Sequence, residues 1–173
     1  MTRTKWPVVL SLACLFVSLG AVWASKNAVV QNDAVLHIDI PVKLDKVNVV
    51  VDFGHAVYLG DTLFALGDTN LLIDDVREWK ATGQIVVVFH GDAAYLTLND
   101  ETYNSNRHVA TGNPYKKVLN ALMEKGVQLE LCGATAKGNH WGNADLLPGI
   151  KVDTNAMVRV TQLEQQGYTL IYQ

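Results

Sequence analysis

Ile85-Val86-Val87-Val88-Phe89 is an unbroken apolar run, mostly β-branched, with no polar residue interleaved. A strand of that kind has no face for water and suits the inside of a sheet covered by helices on both sides. The neighbouring segments follow the same logic. Residues 47–53 are apolar and β-branched apart from Asn48 and Asp52, and predict a first strand. Residues 61–79 predict a helix, with Leu66, Leu72, Ile73, Val76 and Trp79 forming its apolar side and Gly83 closing it. His90-Gly91-Asp92 ends the apolar strand.

The second half repeats the pattern. Asn113 reads as a cap with Pro114 in the first helical position, Val118, Leu119, Leu122 and Met123 line one side, and Lys125-Gly126 closes the helix. A strand over 127–132, a less regular stretch over 134–147 that reads as a short helix or turn, and a short strand over 150–153 follow. A helix over 155–166 carries Ala156, Val160 and Leu163 on one side, and a last strand occupies 168–172. Residues 99–113 are polar, Asn-rich and aperiodic, and read as a long loop. Strands alternating with helices imply an α/β fold with a mostly parallel sheet, helices on both faces and right-handed crossovers.

The amino-terminal end has a different character. Arg3 and Lys5 precede an apolar stretch over 8–23, and Val22-Trp23-Ala24 before Ser25 suits a signal peptidase. Residues 1–24 are therefore read as a signal peptide cleaved after Ala24, with an uncleaved membrane anchor as the alternative. Lipidation at Cys14 fits poorly, since Ser11-Leu12-Ala13 lacks the usual leucine three before the cysteine. Residues 25–45 read as a polar tether with at most one edge strand, interrupted by Pro41. A single domain then spans 46–173, and the chain is expected to be periplasmic or secreted.

Cleavage leaves 12 basic against 17 acidic residues and no basic cluster, which argues against nucleic acid as a partner. A membrane partner is expected only if the leader stays in place. Cleavage also leaves Cys132 as the sole cysteine, so no internal disulfide can form. Cys132 closes Val127-Gln128-Leu129-Glu130-Leu131 and is followed by Gly133-Ala134, a strand end running into a helix start. The positive end of a helix dipole favours thiolate, the nucleophilic form. The competing reading is a cysteine packed as a small hydrophobe.

Sites in open α/β sheets form beyond the carboxyl ends of the strands. Three polar strand ends qualify: Asp52-Phe53-Gly54-His55, Phe89-His90-Gly91-Asp92 and Leu131-Cys132-Gly133. If the strands are parallel, all three share one edge, with His90 or His140 as the acid–base partner of the thiol. Metal and cofactor sites are not expected. The five histidines never pair at i, i+4, no second cysteine remains in the mature chain, and no glycine-rich phosphate loop or G-x-S-x-G elbow occurs.

Three stretches resemble the DsrE/DsrF-like family in order as well as composition: Val86-Val87-Val88-Phe89-His90-Gly91, Val118-Leu119-Asn120-Ala121-Leu122 with Lys125-Gly126-Val127, and Glu130-Leu131-Cys132-Gly133-Ala134. Leu147-Pro148-Gly149-Ile150, Ala156 and Gly167-Tyr168 extend the resemblance, which covers about 46–172. It implies a five-stranded, mainly parallel sheet and assembly into trimers or hexamers. It also implies a sulfur-relay role in which Cys132 carries sulfane sulfur as a persulfide, from an unnamed donor to an unnamed acceptor thiol protein. The chain departs from the cytoplasmic relay subunits in its leader, its tether and its 99–113 segment. The function expected is periplasmic sulfur handling, a possible sulfurtransferase or sulfur carrier. The alternative is a non-catalytic oligomeric module, binding a small molecule or a protein, with a structural cysteine.

Overall fold

Five segments pair into one parallel sheet. The computed structural model describes residues 36–59 and 62–173. Residues 1–24, read as a signal peptide, and most of the segment read as a tether lie outside the described residues. The strands are β1 (Lys46–Phe53), β4 (Thr82–Phe89), β5 (Gln128–Cys132), β6 (Lys151–Asp153) and β7 (Thr169–Tyr172). Their order is β6-β5-β4-β1-β7, and every pairing is parallel. The helices are α1 (Phe64–Trp79), α2 (Asp100–Arg107), α3 (Lys116–Glu124), α4 (Gly133–Gly138) and α5 (Ala156–Gln165). A two-stranded hairpin, β2 (Tyr58–Leu59) with β3 (Thr62–Leu63), precedes α1.

The strand order explains how the helices divide between the faces. From β1 the chain steps outward through β4, β5 and β6, then returns across the sheet to β7. Right-handed crossovers place outward-stepping helices on one face and a returning helix on the other. Accordingly α1, α3 and α4 pack into a large core with Val49, Val51, Phe53, Ile85, Val87, Phe89, Leu129 and Leu131. Among the described residues, α5 alone covers the second face. Its Ala156, Val160 and Leu163 meet Val50, Val86, Val88 and Cys132. The continuous apolar run of β4 feeds both cores, with successive residues alternating between them.

Several sequence expectations change in detail. The 99–113 segment is no loop, because 100–107 forms α2. Asn99 caps it by accepting from the Thr102 N–H at 2.8 Å, Asp100 and Glu101 sit in its first turn, and Arg107 sits in its last. Only Tyr103 is buried, so α2 is a helix made by its caps and end charges, with no apolar stripe to betray it. Helix α1 begins at Phe64 and not at residue 61, because the Phe64 N–H donates to the Val57 carbonyl (2.9 Å) as the hairpin closes.

Gly83 does not close that helix either. Lys80 does, with a φ of 57°, while Gly83 lies inside β4 at φ 118°. A Cβ there would lie 2.2 Å from the Val47 carbonyl oxygen, so the close approach of β1 demands glycine. Helix α3 starts at Lys116, two residues later than expected. The Asn113 side chain caps the preceding turn by accepting from the Tyr115 N–H at 2.9 Å. Residues 36–40, expected to hold at most one edge strand, form none.

Candidate functional site

Strand β5 directs Leu129 and Leu131 into the large core, which leaves Gln128, Glu130 and Cys132 on the α5 face. Cys132 is 4 % exposed. The sequence suggests a helix dipole from the segment that follows Cys132, and Cys132 does occupy the cap position of the six-residue α4. The hydrogen bond to its sulfur comes from elsewhere. The Ala156 N–H, the first of the ten-residue α5, donates to Sγ at 3.3 Å. The neighbouring Asn155 caps the same helix by accepting from the Met157 N–H at 2.9 Å.

The sheet register sets the residues around the thiol. Cys132 pairs with Asp153 across β5 and β6. Phe89 pairs with Leu131, so His90 falls beside Cys132 on the next rung. One rung below, Asp52, Val88, Glu130 and Lys151 lie in line. By strand alternation Asp52, His90, Glu130, Cys132 and Asp153 belong to the α5 face at its carboxyl end. Each of the other two polar strand ends picked out from sequence therefore brings one residue, Asp52 or His90, to the thiol's side.

These side chains are closely tied. His90 Nε2 lies 2.7 Å from Asp52 Oδ1, both groups being mostly shielded. The imidazole rests on Gly54, where a Cβ would stand 2.7 Å from Cε1. Glu130, 3 % exposed, receives two hydrogen bonds from Arg159 of α5, each 2.8 Å, and a third from Gln128. The hydrogen bond to Glu130 raises the Arg159 guanidinium above its ordinary value, against an opposing effect of burial. Asp153 Oδ1 accepts from the Gly133 N–H at 3.4 Å, while Oδ2 is fully shielded and has no hydrogen-bond partner. Burial, assisted by the nearby Glu130 charge, pushes the Asp153 carboxyl above the usual range despite the Gly133 N–H.

Other residues named from sequence lie apart. His140 is exposed on a left-handed turn (φ 60°) after α4, flanked by Ala136 and Trp141, which both pack with the large core on the opposite face. His55 and Asp92 approach each other at 3.5 Å, both exposed, and line a cleft of about 540 Å³ with Tyr95, Arg107 and Trp141. Helix α2 also belongs to that side. Its Tyr103 joins the large core and its Arg107 guanidinium stacks 4.3 Å from the Tyr95 ring. It therefore lies on the face of the sheet opposite Cys132. Burial raises the hydroxyls of Tyr58, Tyr95, Tyr103 and Tyr115 around it, Tyr95 to about 12.

Sequence reading did not single out Glu130, Asp153 or Arg159. A usable signal existed for Glu130, a charge inside an otherwise apolar strand flanked by Leu129 and Leu131. None existed for Asp153, since carboxylates at strand ends are ordinary.

Comparison with known proteins adds a family and a fold. A model of the DsrE/DsrF-like family matches residues 61–172. Among solved structures, a protein of unknown function from Methanobacterium thermoautotrophicum is similar at 19 % identity and a TM-score of 0.53, over 74 % of this chain and all of that one. The ychN protein from E. coli is similar at 17 % identity and a TM-score of 0.54, over 73 % of this chain and 99 % of that one. No curated protein matches.

Proposed function

This chain belongs to the DsrE/DsrF-like family, and from that premise we propose that it handles sulfane sulfur with Cys132 as the carrying thiol. The family suggests a sulfur-relay-like function. The observation that carries the reading to this residue is the Ala156 N–H donated to Sγ at the start of α5. An amide at a helix amino terminus stabilises negative charge on sulfur, and the thiolate is the form that attacks sulfane sulfur.

The chemistry is two displacements. In the first, the Cys132 thiolate attacks the outer sulfur of a donor such as thiosulfate. The S–S bond of the donor breaks, sulfite leaves with the electron pair, and a persulfide remains on Cys132. In the second, an acceptor thiolate attacks the terminal sulfur, and the Cys132 thiolate leaves. No net oxidation occurs in either step. His90, oriented by Asp52, takes the thiol proton before the first step. His140, exposed beyond α4, is the lesser candidate for that role.

The basic residues Arg3 and Lys5 before the apolar stretch over 8–23 support a cleaved leader and with it a periplasmic or secreted setting. Assembly into trimers or hexamers is supported by the outer surface of α5 and the β7 edge, where Met157 (80 % exposed), Val158, Leu170 and Tyr172 present apolar area.

One observation favours a second reading: the near-complete burial of Cys132 fits a structural cysteine in a non-catalytic binding module. Intact mass after incubation with thiosulfate or polysulfide separates the two. A gain of about one sulfur atom, absent from Cys132→Ser, is expected for the carrier. An unmodified chain, with a thiol that iodoacetamide reaches only after unfolding, would establish the structural role instead.

A further inference from the structure

Oδ2 of Asp153 is a fully shielded carboxyl oxygen without a hydrogen-bond partner, the one such side-chain atom among the described residues. Buried polar atoms are nearly always paired, so an orphan marks either stored strain or an absent ligand atom. Its position points to the second. Asp153 is the direct cross-strand neighbour of Cys132, on the same face of the sheet. Neighbouring strands lie about 4.8 Å apart, and a sulfur added to Sγ extends the side chain by about 2.05 Å. The thiol alone makes no hydrogen bond to this carboxyl, and one added sulfur lengthens the side chain on the strand beside it.

Resting on the sulfur-carrier reading of Cys132, we propose that Asp153 is a persulfide-binding residue, whose Oδ2 hydroxyl donates a hydrogen bond to the terminal sulfur of Cys132–S–S⁻. Burial raises this carboxyl, which favours its protonated, donating form, and the Glu130 carboxylate on β5 adds to that effect, against the Gly133 N–H, Arg159 and His90. Arg159 on α5, the nearest cation on that helix, is engaged by Glu130. His90 on β4 is held by Asp52 of β1, and Lys151 of β6 turns to Gln128. Oδ1 is meanwhile fixed by the Gly133 N–H, which leaves Oδ2 to carry the proton. Once ionised, the same oxygen would repel the persulfide anion.

The test is the lifetime of the Cys132 persulfide after loading the full chain with inorganic polysulfide, followed by intact mass from acid to alkaline pH. The wild-type half-life is expected to fall as pH rises through the elevated Asp153 value. Asp153→Asn keeps an N–H donor in the same shape but does not titrate, and should lose that pH step. Asp153→Ala should shorten the half-life roughly tenfold at the acid end, the scale of a charge-assisted hydrogen bond. Equal iodoacetamide rates on the unloaded thiol in all three proteins would confirm unchanged access. If Asp153→Ala does not fold, the near-isosteric Asn variant carries the comparison. A wild-type chain that loads, with both variants matching its half-life and pH profile, overturns the role of Asp153 alone. A wild-type chain that takes up no sulfur overturns the carrier reading and this one with it.

Discussion

Glu130 of β5 and Arg159 of α5 form a two-point ion pair, 2.8 Å at each oxygen, across the face that carries Cys132. Helix α5 has a narrow apolar seam, Ala156, Val160 and Leu163, so this pair is a principal restraint on where the helix begins. The start of α5 is what brings the Ala156 N–H to the sulfur. The pair therefore links a strand charge to the environment of the thiol two residues further on.

Removing one partner leaves a desolvated charge on the other, which costs more than the pair itself contributes. Arg159→Ala is expected to lower unfolding stability by about 3–5 kcal/mol. The double replacement Glu130→Leu with Arg159→Leu should recover most of that loss. Urea unfolding of the single and double variants checks the cycle, and strictly additive losses would count against the pair as described.

Two glycines next to the site leave no free room for a Cβ. In Gly133→Ala the new methyl would lie 2.3 Å from the Asp153 carbonyl oxygen, and backbone cannot yield cheaply there. We expect a loss of about 1–3 kcal/mol, with faster alkylation of Cys132 as the turn into α5 is pushed away. Unchanged alkylation in a destabilised but folded variant would mean that this turn does not guard the thiol.

Gly54→Ala acts on a side chain instead. The methyl would meet the His90 ring at 2.7 Å and swing it off Asp52. Imidazole NMR should show the His90 signals moving while those of His55 and His140 stay in place, and sulfur loading of Cys132 should slow. A His90 spectrum identical to wild type would rule this out.

The acidic groups divide by sign. The Lys116 ammonium, helped by the Asn113 N–H, holds Asp100 below the ordinary carboxylate range; the Gly142 N–H, with the Thr102 hydroxyl, does so for Asp145. Both groups anchor α2. Their contribution is present at neutral pH and is lost as pH falls through these depressed values. Hydrogen exchange, corrected for its intrinsic pH dependence, should show α2 loosening ahead of α5 on acidification.

Asp153 has the opposite sign. Its folded value is raised, so it favours the fold most below the ordinary carboxylate range, and that advantage is lost as pH rises through the folded value. Asp153→Asn is therefore expected to unfold at higher urea than wild type at neutral pH, with the gap narrowing in acid. Stability gained by removing a residue at a strand end would fit a group retained for its chemistry.

The strands and most helices were legible because their signals are local. The apolar run of β4, the strand that ends at Cys132 and the Ala156-Val160-Leu163 spacing of α5 each report a period within a few residues. Helix α2 escaped because caps and end charges make it, and the β2–β3 hairpin escaped because two-residue strands carry no period at all. At the site, Cys132, His90 and Asp52 could be picked out as strand-end residues. Asp153 and Arg159 could not, since what distinguishes them is a neighbour 21 and 29 positions away.

The sequence by itself determined the alternation of strands and helices, the α/β class and the thiol at the end of β5. Only the tertiary structure decided what the thiol meets. Alternation divides a strand into two sides without saying what covers either, and a shift of one residue in register would exchange them. The parallel register and the returning crossover of α5 settle that choice. They put His90, Cys132 and Asp153 on one side of the sheet, beneath the first amide of a helix that begins 24 residues after the cysteine.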